Sequence, residues 1–336
     1  MANSATILGC EGSRLGAGEA EFFREADPWG FILFSRNVDS PDQLRRLTGD
    51  LRAAVGREAP ILVDQEGGRV QRLGAPHWRE WLPPMDQVAR TTPEAMERGI
   101  YLRYRLIAAE LRAVGIDANC APTADIAGSD THPFLKNRCF GTDAETVAKA
   151  ARASAEGLLR GGVLPVVKHL PGHGRAVVDS HLQLPRVGAA IDELDATDFV
   201  PFRALSDLPM AMTAHIVFDV LDPERPATAS ADAVTFIRDG IGFGGLLMTD
   251  DLSMEALTGT LADRAAAGIA AGCDIALYCK GIRAEAEAVV VASGRLSSAA
   301  AARADKALAC RRSPDAIDTA LLEAELEALL MGQVHG

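Results

Sequence analysis

The sequence contains no run of about 18 apolar residues, the length that a helix needs to cross a bilayer. Its N-terminal segment also lacks the basic stretch that precedes the apolar part of a signal peptide. Basic residues are in deficit, since 34 Lys and Arg stand against 46 Asp and Glu, for a formal net charge of -12. Because this charge repels nucleic-acid phosphates and anionic lipids, we expect neither a nucleic acid nor a membrane as partner.

Paired cysteines at metal-binding or redox spacing are absent as well. The six cysteines are Cys10, Cys120, Cys139, Cys273, Cys279 and Cys310, and no two of them form a CxxC pair. Several lie inside apolar segments, where a reduced thiol behaves as a small hydrophobic side chain. We therefore expect a cytoplasmic protein.

Short apolar segments recur along the chain, each bounded by Gly, Pro or Asp and separated by helix-like stretches. Eight of them begin at Ala5, Gly30, Ile61, Ile116, Leu164, Met210, Gly244 and Asp274. Most are continuously apolar, which is typical of parallel strands that are covered on both faces. The pattern predicts an α/β fold, specifically a (β/α)8 TIM-type barrel. A doubly wound sheet is the alternative, but no GxGxxG follows the first strand and no GxxxxGK[ST] occurs.

The length of 336 residues fits one barrel domain with an addition, because such barrels run to about 250 residues or more. We assign residues 1–294 to the barrel. Residues 295–336, rich in Ala, Leu and charged side chains, are predicted to form a C-terminal helical extension that packs on it.

Polar side chains close several of the predicted strands, and active sites of such barrels form at these ends. They are Asp64, Lys168, His169, His215, Asp250 and Asp251. Asp251 suits the N-cap of a following helix. Asp250 is still in the strand and has no capping task, so we favour catalysis for it. His215 alone is more often a hydrogen-bonded structural histidine.

The segment DQEGGRVQR joins Asp64 to Arg69 and Arg72 through a Gly-Gly turn. Such a set of carboxylate and guanidinium groups can bind several hydroxyls of a sugar ring. It can equally be a surface salt-bridge cluster, because bidentate pairing of arginine and carboxylate needs no ligand. The residues alone leave both interpretations open.

The segment KHLPGHGRAVVDSH, residues 168–181, is rich in groups that bind metals or move protons. His169 and His173 have the spacing of two zinc ligands on a helix, but Pro171 and Gly172 between them make a helical turn there improbable. Lys168 closes a strand as Schiff-base lysines of aldolases do, although such an amine needs a dry or cationic environment to lose its proton.

A third chemistry is offered by Asp179 and His181. Residues i and i+2 of an extended loop point the same way, so the carboxylate can hold the imidazole and raise its basicity. The pair then serves as a general acid and base. A salt bridge that merely holds the loop shut is about equally compatible with these residues.

Together these motifs resemble the bacterial β-N-acetylhexosaminidases of glycoside hydrolase family 3, the NagZ-like branch. The resemblance extends in order from about Gly30 to Asp274. Its segments are VDQEGGRVQRL, GIDANCAPTADI, KNRCFG, KHLPGHGRAVVDSH, MTAHIVF, PATAS and GGLLMTDDLSM.

The resemblance implies roles for individual residues. Asp250 corresponds to the nucleophile, His181 to the acid/base and Asp179 to its partner. The positions implied to bind the sugar are Asp64, Arg72, Arg138, Lys168 and His169. Arg138 lies in a loop without a periodic pattern, and the resemblance alone selects it.

The function implied is that of a retaining β-N-acetylhexosaminidase. It would remove terminal, non-reducing β-linked N-acetylglucosamine from peptidoglycan fragments during muropeptide recycling, without a metal or other cofactor. We expect a monomer that acts on this small sugar substrate. Three alternatives stay open: a phosphorylase of the same family, a Lys168 Schiff-base aldolase, and a sugar-binding barrel without activity.

Overall fold

In the computed structural model, which describes residues 2–178 and 183–332, eight parallel strands pair side by side in chain order. The strands are β1 (Ser4–Gly9), β2 (Pro28–Leu33), β3 (Ile61–Val63), β4 (Ala118–Asn119), β5 (Leu164–Leu170), β6 (Met210–Thr213), β7 (Leu246–Met248) and β8 (Ala276–Tyr278). β8 pairs with β1, and a bridge between Met248 and Ile275 joins β7 to β8. The sheet thus closes into the predicted barrel, and each strand lies within or overlaps one of the eight predicted segments.

Helices follow most of the strands and cover the outside of the sheet. They are α1 (Ala17–Ala26), α2 (Pro41–Val55), α3 (Pro84–Ala89), α4 (Pro93–Arg112), α5 (Pro133–Lys136), α6 (Ala144–Arg160), α7 (Ile191–Ala196), α8 (Val200–Ala204), α9 (Ala231–Thr235), α10 (Leu261–Ala271), α11 (Arg283–Ser293), α12 (Ser298–Ala309) and α13 (Thr319–Met331). α2 shows why the sequence folds so: the Ser40 side chain accepts from the Gln43 N–H, and Gly56 ends the helix in the left-handed region.

In the part of the chain that the structure describes, four short strands lie outside the barrel. Gln65–Gly67 pairs antiparallel with Val70–Gln71, and Arg186–Val187 pairs parallel with Val217–Phe218. The first pair follows β3 directly, so it places the DQEGGRVQR segment at the carboxyl end of the barrel.

Successive strand residues face opposite sides of the sheet and build two apolar layers. Ile7 of β1 packs in the barrel interior, whereas Leu8 packs against the surrounding helices. Ala300, Ala304 and Ala307 of α12 belong to the interior cluster. α12 therefore covers the amino-terminal end of the barrel and leaves the carboxyl end open.

Two buried carboxylates at the amino-terminal end of the barrel are held by arginines of the C-terminal region. Asp274, just before β8, pairs with Arg303 of α12 at 2.5 Å. Asp117, just before β4, pairs with Arg311 at 2.9 Å and with Arg52 at 3.1 Å. The division between residues 1–294 and 295–336 stays a prediction. Among the described residues, no helix is both long and apolar enough for a transmembrane span.

Candidate active site

A pocket opens at the carboxyl end of the barrel, where the predicted polar strand ends meet. The predicted residues that line it are Asp64, Arg72, Arg138, Lys168, His169 and Asp250. Apolar side chains, among them Phe34, Phe134 and Met254, complete its wall. The remaining two predicted site residues, Asp179 and His181, lie outside the described residues.

Charged side chains from three segments form one cluster at the pocket floor. Lys168 Nζ lies 2.9 Å from Asp64 Oδ1 and 2.7 Å from Glu66 Oε1. Arg138 binds both oxygens of Glu66, at 2.8 and 2.9 Å. Arg72 donates to Asp64 Oδ2 at 3.1 Å. Three cations thus surround two carboxylates, which leaves the cluster with one net positive charge.

These ion pairs fix the ionisation of the cluster. Burial opposes the charge of Asp64, but Lys168 and Arg72 outweigh it and hold the pKa of this carboxyl well below its usual range. Burial likewise disfavours the charge of Lys168, yet Asp64 and Glu66 raise the pKa of its amine above the ordinary value. Lys168 is therefore a protonated hydrogen-bond donor, which disfavours a Schiff-base role.

A second group at the floor is organised by Asp125. Its Oδ2 lies 2.7 Å from His169 Nδ1, and its Oδ1 accepts from the His173 backbone N–H at 2.7 Å. His169 is on β5 and His173 follows the strand, so no helix carries the pair. Burial lowers the pKa of His173 to about 4, and its Nδ1 has no hydrogen-bond partner among the described residues. His173 is therefore neutral at neutral pH.

Asp250 follows β7 and is partly accessible from the pocket. Its Oδ1 accepts from the Asp251 N–H at 2.7 Å. Burial opposes its charge, but His215, His169 and this N–H lower the pKa of the carboxyl below the ordinary value. Asp250 is thus ionised and oriented at neutral pH.

The neighbouring Asp251 does not cap a helix, so the capping prediction was wrong. Its carboxylate accepts from the Ser253 N–H and hydroxyl, at 3.0 and 2.6 Å, and from the Cys279 N–H at 3.2 Å. The chain continues in turns up to α10, because the short polar side chain accepts hydrogen bonds within a turn and from the residue that follows β8 instead. His215 is fully buried and hydrogen-bonded, as expected for a structural histidine.

Of the two arginines in DQEGGRVQR, Arg72 pairs with Asp64. Arg69 instead places its guanidinium carbon 3.8 Å from the centre of the Phe134 ring. Stacking of this kind is a common use of a weakly hydrated guanidinium.

Sequence reasoning missed Glu66 and Asp125. Glu66 stands two residues after Asp64. Because residues i and i+2 of an extended segment point the same way, its side chain could have been predicted to lie on the same side as that of Asp64. Asp125 lies well beyond the end of β4, and no strand-end pattern marks it.

Comparison with known proteins assigns the chain to a family. Residues 17–309 match the family described as "Glycosyl hydrolase family 3 N terminal domain". The chain is 38% identical over 318 residues to the protein "Beta-hexosaminidase" of Methylococcus capsulatus, covering 94% of each chain. It is 39% identical over 281 residues to the protein of the same name from Alkalilimnicola ehrlichii, covering 81% of this chain and 80% of the relative.

A similar fold is known from crystal structures. NagZ from Neisseria gonorrhoeae, solved in complex with N-trifluoroacetyl-D-glucosamine, superimposes with a TM-score of 0.84 at 31% sequence identity. The match covers 98% of this chain and 96% of that one. The family match covers most of the chain, and the pocket lies at the carboxyl end of the barrel. The chain therefore belongs to glycoside hydrolase family 3.

Proposed function

We propose that this enzyme is a retaining β-N-acetylhexosaminidase that removes terminal, non-reducing β-linked N-acetylglucosamine. The observation that carries the proposal is Asp250, an ionised carboxylate that faces the same pocket as the Lys168 cluster. The curated relatives named beta-hexosaminidase and the Neisseria NagZ complex with an N-acylglucosamine support this choice of sugar.

Asp250 acts as the nucleophile. Its carboxylate attacks the anomeric carbon and forms a covalent glycosyl-enzyme while the bond to the leaving oxygen breaks. A low pKa suits this role, because the carboxylate must be ionised when the substrate binds. The hydrogen bond from the Asp251 N–H restricts its rotation and so keeps the attacking group in place.

His181, paired with Asp179, moves the proton. The protonated imidazole gives its proton to the leaving oxygen, and in the second step it takes one from the water that attacks the glycosyl-enzyme. An ordinary histidine pKa near 6.5 suits both directions at neutral pH. This assignment rests on the spacing of the two residues and on the family resemblance.

The sugar is bound by Asp64, Arg72, Arg138, Lys168 and His169. Lys168 is a charged donor and Asp64 a charged acceptor, so together they match the donor and acceptor character of neighbouring hydroxyls. Because both groups lie at the pocket floor, they contact the terminal sugar and not the leaving group. This arrangement favours removal of the terminal residue of a chain.

The natural substrates we propose are peptidoglycan fragments in the cytoplasm. All six cysteines are unpaired, which suits a reducing compartment. Phosphorolysis is a second candidate. The cluster carries one net positive charge, which attracts phosphate, and a neutral histidine base repels phosphate less than a carboxylate base would.

The test is hydrolysis of a chromogenic β-N-acetylglucosaminide by the wild type and the variants Asp250→Asn and His181→Ala, with and without phosphate. Asp192→Asn, which alters an exposed carboxylate on α7, is the control. We expect the first two variants to fall to background and the control to match the wild type. Undiminished activity in Asp250→Asn would overturn the mechanism, and release of a sugar 1-phosphate would establish phosphorolysis.

A further inference from the structure

His215 and Thr228 form a buried polar pair behind the nucleophile. His215 is 0% and Thr228 1% exposed. The imidazole Nδ1 lies 2.8 Å from the Thr228 hydroxyl oxygen, and Nε2 lies 3.0 Å from the Asp251 carbonyl oxygen. Neither residue lines the pocket floor around Lys168. His215 follows β6 and contacts Asp251, which follows β7, so the pair lies between the ends of these two strands.

The position of one proton follows from this geometry. A carbonyl oxygen only accepts hydrogen bonds, so Nε2 must carry the hydrogen that it donates to Asp251. Nδ1 then either accepts from the Thr228 hydroxyl in a neutral ring or donates to it in a charged ring. Which of the two states of His215 forms depends on the acceptor to which Thr228 donates its single hydroxyl hydrogen.

Thr228 has partners for both states. Its oxygen lies 2.8 Å from the Thr213 hydroxyl and 3.1 Å from the Ala214 carbonyl. It can accept from Thr213 and donate to the ring, or donate to Ala214 and accept from the ring. The titratable groups that face the ring are Asp250, Asp251 and His169. Burial outweighs the two carboxylates and lowers the pKa of His215, so the neutral ring prevails.

We propose that Thr228 is a positioning residue for glycoside hydrolysis: its hydroxyl donates to Nδ1 and holds His215 as the neutral Nε2–H tautomer, which fixes the Asp251 carbonyl and thereby aims Asp250. The proposal rests on the proposed role of Asp250 as nucleophile. Two residues, His215 and Asp251, separate Thr228 from the reacting carboxylate of Asp250.

Asp251 links His215 to the nucleophile Asp250. Asp251 donates its N–H to Asp250 Oδ1 at 2.7 Å, while its carbonyl is held by His215. The peptide groups on both sides of Asp251 are therefore fixed, and the rotamer of Asp250 with them.

The kinetic test compares Thr228→Val, which removes the hydroxyl at nearly constant volume, with Thr228→Ser, which keeps it. We expect Thr228→Val to lower kcat about tenfold with KM within about twofold of wild type, because one hydrogen bond that orients the nucleophile is lost. Thr228→Ser should restore most of kcat. Thr48→Val is the control, since Thr48 is an equally buried threonine whose hydroxyl donates to the Val114 carbonyl far from the pocket.

A second readout is independent of turnover. In histidine-15N-labelled protein, His215, identified by comparison with His215→Gln, should show a pyridine-type signal for Nδ1 and a pyrrole-type signal for Nε2. The protonated form or the other tautomer at neutral pH would overturn the proposal. So would a loss of kcat in Thr228→Val no larger than in Thr48→Val. Failure of the hydrolase proposal would appear separately, as a wild type without activity but with the expected tautomer.

Discussion

Glu66 is the residue whose loss should damage both folding and binding, although it was not among the predicted site residues. It is fully buried and accepts from Lys168 at 2.7 Å and from Arg138 at 2.8 and 2.9 Å. Glu66→Gln keeps the size of the side chain but removes its charge. The cluster would then contain three cations and the single carboxylate of Asp64.

Removing one partner of a buried ion pair costs about 3–5 kcal/mol, because the other charge stays buried without compensation. Total stabilities of about 5–15 kcal/mol imply that the variant still folds, with a clearly lower midpoint in urea. Lys168 and Arg138 would also repel each other and lose the geometry with which they bind the sugar. Since hydrogen bonds to charged groups contribute about 1.5–3 kcal/mol, we expect at least a tenfold fall in kcat/KM, mostly through KM.

The assays are urea unfolding and hydrolysis of the chromogenic substrate at varied concentration. Glu110→Gln is the matched control: Glu110 is a half-buried carboxylate on α4 that accepts from Trp81 Nε1 at 3.2 Å and lies outside the pocket. It should change stability by about 1 kcal/mol and leave the kinetics unchanged. If Glu66→Gln matched the wild type in both assays, the reasoning about the charge cluster would be refuted.

Two further predictions concern stability. His173, with a pKa of about 4 in the folded protein and near 6.5 when unfolded, gives stability that is complete above about pH 6.5 and is lost as the pH falls toward 4. The free energy of unfolding of His173→Gln should therefore fall by about 2–3 kcal/mol less than that of the wild type between pH 7 and pH 4.5, as measured by urea titration. An unchanged pH dependence of stability would contradict a neutral buried ring. Asp117→Asn removes the carboxylate shared by Arg52 and Arg311 at the end of the barrel opposite the pocket. It should cost about 2 kcal/mol with kcat and KM unchanged, and a kinetic effect would show that this end is coupled to the site.

The strands could be predicted because their signal is local. A parallel strand covered on both faces is a short apolar run, and eight such runs between Gly, Pro and Asp leave few other folds open. The same logic found Asp64, Lys168, His169 and Asp250, since a polar residue that closes a buried strand must face the mouth of the barrel.

The rest depends on contacts that sequence spacing does not encode. Glu66 meets Arg138 although 72 positions separate them, and Asp125 meets His169 across 44. The N-cap rule also failed for Asp251, because its carboxylate accepts hydrogen bonds from the Ser253 N–H in a turn and from the Cys279 N–H after β8, and no helix begins there. Residues that act through long-range polar pairing are therefore the ones that strand and helix patterns miss.

The arginines that hold Asp274 and Asp117 have a consequence for how the protein is made. Arg303 and Arg311 come after all eight strands, so the ribosome synthesises them later than the whole sheet. Until they emerge, the two aspartates at the amino-terminal end of the barrel lack these counter-charges and α12 is not there to cover the interior. The amino-terminal end of the barrel can therefore consolidate only after α12 and Arg311 have been synthesised, and a nascent chain that stops before them would leave this end open to water.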